Sequence, residues 1–268
     1  PLDFVFGRRF ALFIKRTDLA LEARELWQES AERTTRLMGV KATKSKLEGY
    51  PVTRVDILDH RGEEALGKPQ GSYFTIDLTT FWQRKADFFE RAVRAVGTEL
   101  KALLPVEGSA LVVGLGNRAI TPDNIGPKAA DQTMVTRHLV ERVPEHFGSF
   151  RPVAALAAGV LGTTGVESGE LVQAVCEKIR PGFVIAVDAL AARSVRRLCT
   201  TIQIADTGIS PGSGVGNRRF ALNADTLGVP VIAVGVLLLS QIRGFLESPV
   251  LQPAFDNILP ALFGPLAV

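Results

Sequence analysis

The chain has 268 residues, of which 46% are hydrophobic and 22% charged, an ordinary globular composition with enough length to bury a large core. Its formal net charge of +3 is too small to indicate nucleic-acid binding, and we expect no direct nucleic-acid partner. Since no apolar run approaches the roughly 18 residues that a bilayer span requires, we expect no membrane association. Cys176 and Cys199 both lie in apolar surroundings, which favours buried thiols and a reducing compartment.

The N-terminal part of the chain combines helices with short alternating strands. A helix is predicted from Thr17 onward, because a capping residue opens a run with helical period. Residues 51–58 and 73–78 alternate apolar and polar side chains, which is typical of strands in a hairpin or at an antiparallel edge. An amphipathic helix is predicted over residues 83–104. The two strands indicate a β-rich insertion at about residues 46–80.

Strands alternate with helices from residue 110 onward. The predicted strands cover residues 110–113, 153–158, 183–187, 202–204 and 231–234. The predicted helices cover residues 126–140, 168–178, 191–199 and 217–227. This alternation indicates parallel βαβ units with right-handed crossovers. The predicted fold class is therefore α/β, a mostly parallel sheet flanked by helices, with a small antiparallel β addition in the N-terminal half.

Two aspartates follow apolar strands of this pattern. Asp123 comes after the run Gly114-Leu115-Gly116-Asn117, and Asp188 directly follows the strand Phe183–Val187. In a parallel sheet both would lie at the carboxyl ends of strands, where open α/β folds place their sites. Two carboxylates in one cleft can share a proton and act as acid and base, which suits hydrolysis. We expect Asp188 to have the higher pKa, because its strand is the more apolar.

Each aspartate also has a purely structural interpretation. Asp123 follows Pro122 and precedes Gly126, a context typical of a turn residue or a helix N-cap. Asp188 can cap a helix over residues 191–198, although burying a carboxylate without a partner is costly. Two aspartates at corresponding strand–helix junctions favour a shared site over two independent caps.

The glycines before Asp123 have two interpretations. Gly114-x-Gly116 after a strand resembles part of a dinucleotide-binding fingerprint, but Pro122 follows and the helix begins later than that motif requires. We therefore expect the glycines to let the backbone turn sharply into the cleft. The backbone amides of Gly114, Gly116 and Asn117 are candidates for stabilising an oxyanion.

A second loop, over residues 206–217, is rich in glycine and serine and follows a strand. Long loops in such positions are often functional, and Gly214, Gly216 and Asn217 are candidates for lining a cleft that holds an extended peptide. The sequence contains no H-E-x-x-H motif, so a metallohydrolase of that kind is not predicted.

Four motifs, in this order, resemble the germination protease family of endospore-forming bacteria. They are Arg16-Thr17-Asp18-Leu19-Ala20, Gly114-Leu115-Gly116-Asn117 with Thr121-Pro122-Asp123-x-x-Gly126-Pro127, Asp188-Ala189-Leu190-Ala191-Ala192-Arg193 and Gly212-Ser213-Gly214-Val215-Gly216-Asn217. The resemblance covers roughly residues 16–236. It implies an endopeptidase that degrades small acid-soluble spore proteins, and a fold similar to that of hydrogenase maturation proteases, within the phosphorylase/hydrolase-like folds.

The resemblance also implies synthesis as a self-processing zymogen. Residues 1–15 would be an N-terminal propeptide, and residues 16–268 a single protease domain. The cut would fall within a short segment formed by Ile14, Lys15 and Arg16. The sequence just after it, Thr17-Asp18-Leu19-Ala20-Leu21-Glu22, looks like an imitation of the acidic and apolar motif in the spore substrates.

By the same resemblance, Asp123 and Asp188 would be the catalytic pair of an atypical aspartic peptidase that needs no cofactor. Two alternatives stay open: a metal-dependent peptidase on the same fold, and a non-catalytic peptide-binding module. The family further implies a homotetramer in the cytoplasm of the forespore and spore core, with small acid-soluble spore proteins as substrates.

Overall fold

A single mixed sheet runs through the part of the chain that the computed structural model describes, which is residues 17–30, 37–83, 87–192, 194–210 and 220–240. Its strands are β1 (Val40–Leu47), β2 (Tyr50–Ile57), β3 (Gly71–Asp77), β4 (Ala110–Leu115), β5 (Val153–Gly159), β6 (Phe183–Ala192), β7 (Thr201–Ala205) and β8 (Val231–Ser240). Across the sheet, their order is β1-β2-β3-β7-β8-β6-β4-β5.

Helices cover both faces of the sheet. They are α1 (Ala20–Ser30), α2 (His60–Leu66), α3 (Phe88–Leu103), α4 (Ile125–Gln132), α5 (Arg137–Arg142), α6 (Pro144–Phe147), α7 (Leu161–Thr164), α8 (Ser168–Ile179) and α9 (Ala224–Leu227). Short 3-10 helices lie at Thr79–Gln83, Thr121–Asp123 and Val195–Arg197. Within the described ranges, every helix is too short or too polar to cross a bilayer.

The half of the sheet made of β8, β6, β4 and β5 is parallel and apolar. Every residue of β4 and β6 is buried, because helices cover the sheet on both sides. Val112 and Ile185 face the core beneath α3 and α4, while Leu111 and Val184 face the core beneath α8. This double burial fixes the strand register, and it brings the carboxyl ends of β4 and β6 together at one edge of the sheet.

The other half of the sheet, β1-β2-β3-β7, is antiparallel, and β7 pairs with β8 in the same sense. The predicted α/β class, a parallel sheet with an antiparallel addition, is confirmed. The addition is larger than predicted, since it includes β1 and β7. Only residues 193–200 connect β6 to β7, and a parallel crossover needs about a dozen residues or more, so β7 has to turn back.

The helix predicted over residues 191–199 is wrong. Strand β6 continues to Ala192, and only a 3-10 helix at Val195–Arg197 precedes β7. The alanines favour a helix locally, but the strand gains long-range partners on both sides. Ala191 exchanges hydrogen bonds with Asp18, and β8 runs beside it on the other edge. Tertiary pairing thus overrides local propensity here.

Other boundaries differ for local reasons. The single helix predicted over residues 126–140 is broken, because Thr133 takes an extended conformation at the end of α4. In the segment predicted as a helix over residues 217–227, the described residues form only α9. Helix α2 was not predicted, although Asp59 marks its start by accepting the N–H group of Gly62.

Candidate active site

A tight turn after β4 presents Asp123 at the carboxyl edge of the sheet. Gly116 has a φ angle of 112°, and a Cβ atom there would lie 2.1 Å from the carbonyl oxygen of Asp123. The N–H group of Asn117 donates a hydrogen bond to Asp123 Oδ2 at 2.6 Å. Only glycine fits this close approach in the left-handed region. The turn therefore fixes the half-buried carboxylate of Asp123 in one orientation.

Asp188 lies in the middle of β6 but at the end of the pairing with β4. The last register pair of those strands is Gly114 with Val187, and Asp188 is the next residue along. On its other side it is paired with Gly235 of β8. The residue is 7% exposed, and its Oδ1 accepts the N–H group of Ala189 at 2.8 Å. Because β6 continues as a strand, the interpretation of Asp188 as a helix cap is wrong.

Two glycines let the turn approach β6. A Cβ atom on Gly126 would lie 2.1 Å from the oxygen of Leu115 and 2.5 Å from that of Val187. A Cβ atom on Gly114 would lie 2.0 Å from the oxygen of Gly126. Helix α4 therefore begins in contact with both strand ends, and the 3-10 helix that ends at Asp123 contacts β6 and β8.

The electrostatics of the two aspartates are coupled. Burial raises the pKa of Asp188 to about 8, and the charge of Asp123 adds to that rise. The hydrogen bond from Ala189 lowers this pKa, while the charge of Asp18 raises it. Burial and the charge of Asp123 thus favour the protonated form of Asp188 at neutral pH. A protonated carboxyl group next to a carboxylate is the arrangement that acid–base hydrolysis needs.

Asp18 is a third carboxylate at this edge. Its N–H group donates to Ala191 O at 3.1 Å, and its Oδ2 accepts the Ala191 N–H group at 2.9 Å. The side chain of Gln203 completes the attachment by donating to Asp18 O and accepting from Ala20 N. Sequence reasoning placed Asp18 in a motif but not in the site, because its contacts lie more than 170 positions away.

A buried ion pair holds the segment that carries Asp18. Glu22 is 2% exposed, and its Oε1 lies 3.0 Å from Arg197 Nη1. The same carboxylate accepts the hydroxyl of Thr17 at 2.5 Å and the N–H group of Ser194 at 3.1 Å. Arg197 also pairs with Glu25 at 2.7 Å. The start of α1 is thereby fixed against the connection between β6 and β7.

The remaining predicted site residues divide into those that the structure places in the site and those outside the described residues. Gly114 and Gly116 lie in the site, where both allow close backbone approach. The Asn117 N–H group was an oxyanion candidate, but it is committed to Asp123 and serves to orient that carboxylate. The other candidates lie outside the described residues; they are Ile14, Lys15, Arg16, Gly214, Gly216 and Asn217.

Within the described part of the chain, no group of three or more histidine, cysteine, aspartate or glutamate side chains is arranged to hold a metal ion. Asp18, Asp123 and Asp188 do not form such a group. The absence of a cofactor stays a prediction.

Comparison with known proteins identifies the family of this fold and site. The sequence model of the germination protease family matches residues 20–242, a range that contains both aspartates. The chain belongs to the germination protease family. The germination protease of Caldanaerobacter subterraneus subsp. tengcongensis is 49% identical over 224 residues, which are 82% of this chain and 68% of that protein. The resemblance predicted from the motifs is confirmed, and so is the class of enzyme, a peptidase.

Other germination proteases show comparable similarity. Those of Clostridium perfringens and Bacillus cereus are 48% and 45% identical over 225 and 227 residues. Each alignment covers 82% of this chain, and 69% and 62% of the respective relatives. A crystal structure of the NiFe hydrogenase maturation protease HycI from Thermococcus kodakarensis KOD1 is similar over 63% of this chain and 98% of that chain, with a TM-score of 0.42 and 17% identity.

Proposed function

We propose that this protein is an endopeptidase of spore germination that cleaves small acid-soluble spore proteins, with Asp123 and Asp188 as its catalytic pair. One observation carries the assignment of the pair: at the carboxyl edge of a parallel sheet, Asp188 is buried where the charge of Asp123 acts on it, and both burial and that charge raise the pKa of Asp188. Membership of the germination protease family supports the substrate class.

The geometry supports a general acid–base mechanism. The carboxylate of Asp123 takes a proton from a water molecule as that water attacks the scissile carbonyl carbon. The carboxyl group of Asp188 donates its proton to the carbonyl oxygen, which forms a neutral tetrahedral diol. On collapse, Asp123 gives its proton to the leaving amine, and Asp188 recovers a proton from the diol. Both side chains return to their initial protonation states.

The proposal extends to processing and assembly. Residues 1–15 act as a propeptide that the protein removes from itself within residues 14–16, and residues 16–268 form the protease domain. Strands β2 and β3 lie within the insertion at about residues 46–80, β1 begins before it, and β3 joins these strands to the main sheet through β7. Family membership supports a homotetramer located in the cytoplasm of the forespore and spore core.

The test replaces each aspartate by asparagine in the full chain. Mass spectrometry follows self-processing and the cleavage of an added small acid-soluble spore protein. We expect Asp123→Asn and Asp188→Asn each to lower both rates by about 10²–10⁴-fold. The matched control is Asp225→Asn, a change at an exposed position in α9, which leaves the rates unchanged.

Three results would contradict this proposal. Full activity in either aspartate variant removes that residue from the mechanism. Loss of wild-type activity on adding a strong chelator, with recovery on adding a divalent metal, points to the metal-dependent alternative. Tight binding of the spore protein by the processed wild-type chain, without cleavage, points to a binding module.

A further inference from the structure

A cavity of about 180 Å³ lies beside Asp188 on the α8 face of the sheet. Gly235 and Leu190 form part of its wall. Gly235 is the register partner of Asp188, and Leu190 points to the same face as Asp188 because it is two residues along the same strand. Asp123 and Asp188 do not line the cavity themselves, so it is placed to bind a side chain near the scissile bond and not the reacting carbonyl.

The ammonium group of Lys68 is the cationic group that lines this cavity among the described residues, and Asp18 is the anionic one. Lys68 sits in a constrained turn. Gly67 caps the C-terminus of helix α2 with a φ angle of 61°, and the residue after Lys68 is Pro69. The hydroxyl of Tyr73 donates to Pro69 O at 2.8 Å, which ties the turn to β3. The position of Lys68 is therefore set by the fold.

Lys68 is partly buried, and the charge of Asp18 acts on its ammonium group. Burial lowers the pKa of Lys68, and the charge of Asp18 only partly offsets that effect. Asp18 Oδ2 already accepts the N–H group of Ala191. Among the described residues, Lys68 forms neither a hydrogen bond nor an ion pair. A desolvated ammonium group is stabilised by an anionic partner placed within hydrogen-bond distance.

The rest of the cleft disfavours anions. Asp123 and Asp18 both act as negative charges on Asp188. Among the described residues that line the cavity, Lys68 is the one that attracts an acidic side chain of a bound peptide, whereas the carboxylates near the catalytic pair repel it. A charge pattern of this kind favours the register of the peptide that places its carboxylate at Lys68.

We propose that Lys68 is a specificity-determining residue, which binds the carboxylate of an aspartate or glutamate side chain of the peptide substrate and thereby sets the register of cleavage. This inference rests on the proposed peptidase function of Asp123 and Asp188. The bound side chain belongs to a residue near the scissile bond, since the cavity wall includes Gly235, the register partner of Asp188.

The test uses an apolar host peptide that carries a single glutamate, and the same peptide with glutamine in its place. For the wild-type chain we expect the glutamate peptide to have a kcat/KM about 10- to 100-fold higher, mainly through KM, as for loss of a charge-assisted hydrogen bond. In Lys68→Met this ratio falls to within about threefold of unity, while Lys68→Arg keeps part of it. The matched control, Lys101→Met at an exposed position in α3, keeps the wild-type ratio.

A second readout follows the register directly. When the glutamate is moved along the host peptide, the wild-type cut should move with it, and the cut in Lys68→Met should not. The inference is overturned if Lys68→Met keeps the glutamate preference, or if it lowers kcat equally for both peptides. The latter result makes Lys68 part of the catalytic or folding machinery.

Binding to the Asp188→Asn variant separates this inference from the proposed function. Calorimetric titration with the two peptides needs no turnover. In one outcome the wild-type chain cleaves neither peptide, Asp188→Asn binds the glutamate peptide more tightly than the glutamine peptide, and the additional change Lys68→Met removes that preference. This outcome supports the subsite at Lys68 and contradicts the catalytic assignment. Equal binding of both peptides overturns the subsite, whatever the cleavage assays show.

Discussion

The pKa of Asp188 predicts a specific dependence of stability on pH. The folded protein holds this proton up to about pH 8, whereas an unfolded aspartate releases it near pH 4. Between these values the folded state binds more protons than the unfolded state, so the free energy of unfolding falls as pH rises. The contribution is fully favourable below about pH 4 and is lost by about pH 8. Four pH units at about 1.4 kcal/mol each give a loss on the order of 5 kcal/mol.

The substitution Asp188→Asn removes this titration while keeping an oxygen that can accept the Ala189 N–H group. Urea unfolding of the variant and the wild-type chain, followed by circular dichroism, gives the free energy of unfolding at each pH. At pH 5 we expect the variant to be more stable by only about 1–2 kcal/mol, because the unfolded aspartate has already lost its proton. At pH 9 we expect the variant to be more stable by several kcal/mol, up to the value above.

Taking the difference between the two proteins cancels the titration of all other groups that the substitution leaves unaffected. The control Asp225→Asn, in exposed α9, should follow the wild-type curve at every pH. If the difference between Asp188→Asn and the wild-type chain is constant from pH 5 to pH 9, Asp188 is not the buried proton carrier that the site requires.

Two further substitutions test the parts that hold the site. Gly116→Ala places a Cβ atom 2.1 Å from Asp123 O at a φ angle of 112°. We expect it to lower the free energy of unfolding in urea by at least about 1–3 kcal/mol and to lower the rate of peptide cleavage strongly. The control Gly97→Ala on α3, which has open space around the new methyl group, should be neutral or stabilising. Unchanged cleavage in Gly116→Ala would show that the turn does not position Asp123. Arg197→Met leaves the buried carboxylate of Glu22 without its cation and should lower the free energy of unfolding by about 3–5 kcal/mol. A change below about 1 kcal/mol would show that the ion pair does not hold α1 in place.

The sequence predicts those features of the site that depend on local pattern. Asp123 and Asp188 follow apolar runs, and such runs are the strands of a sheet buried on both faces. Their place at one edge follows from the parallel pairing of β4 with β6. The glycine at position 116 is also predictable as a turn residue, although its specific contact with the backbone of Asp123 is not.

Features that depend on long-range pairing are not predictable from one sequence. The alanines after Asp188 favour a helix, and only the pairing with Asp18 and β8 makes that segment a strand. Lys68 lies in an unremarkable turn of the sequence, and it reaches the cavity because the antiparallel half of the sheet places β3 beside β7. Neither contact leaves a periodic signal, because each joins segments far apart in the chain.

The pH dependence of peptide cleavage tests the acid–base pair most directly. The kcat/KM of the processed protein should be measured from pH 5 to pH 10, with a peptide that has no group titrating in that range. Because Asp188 must be protonated to donate to the carbonyl oxygen, kcat/KM should fall above about pH 8 by roughly tenfold per pH unit. A profile that stays level or rises through pH 10 would contradict the assignment of Asp188 as the acid beside Asp123.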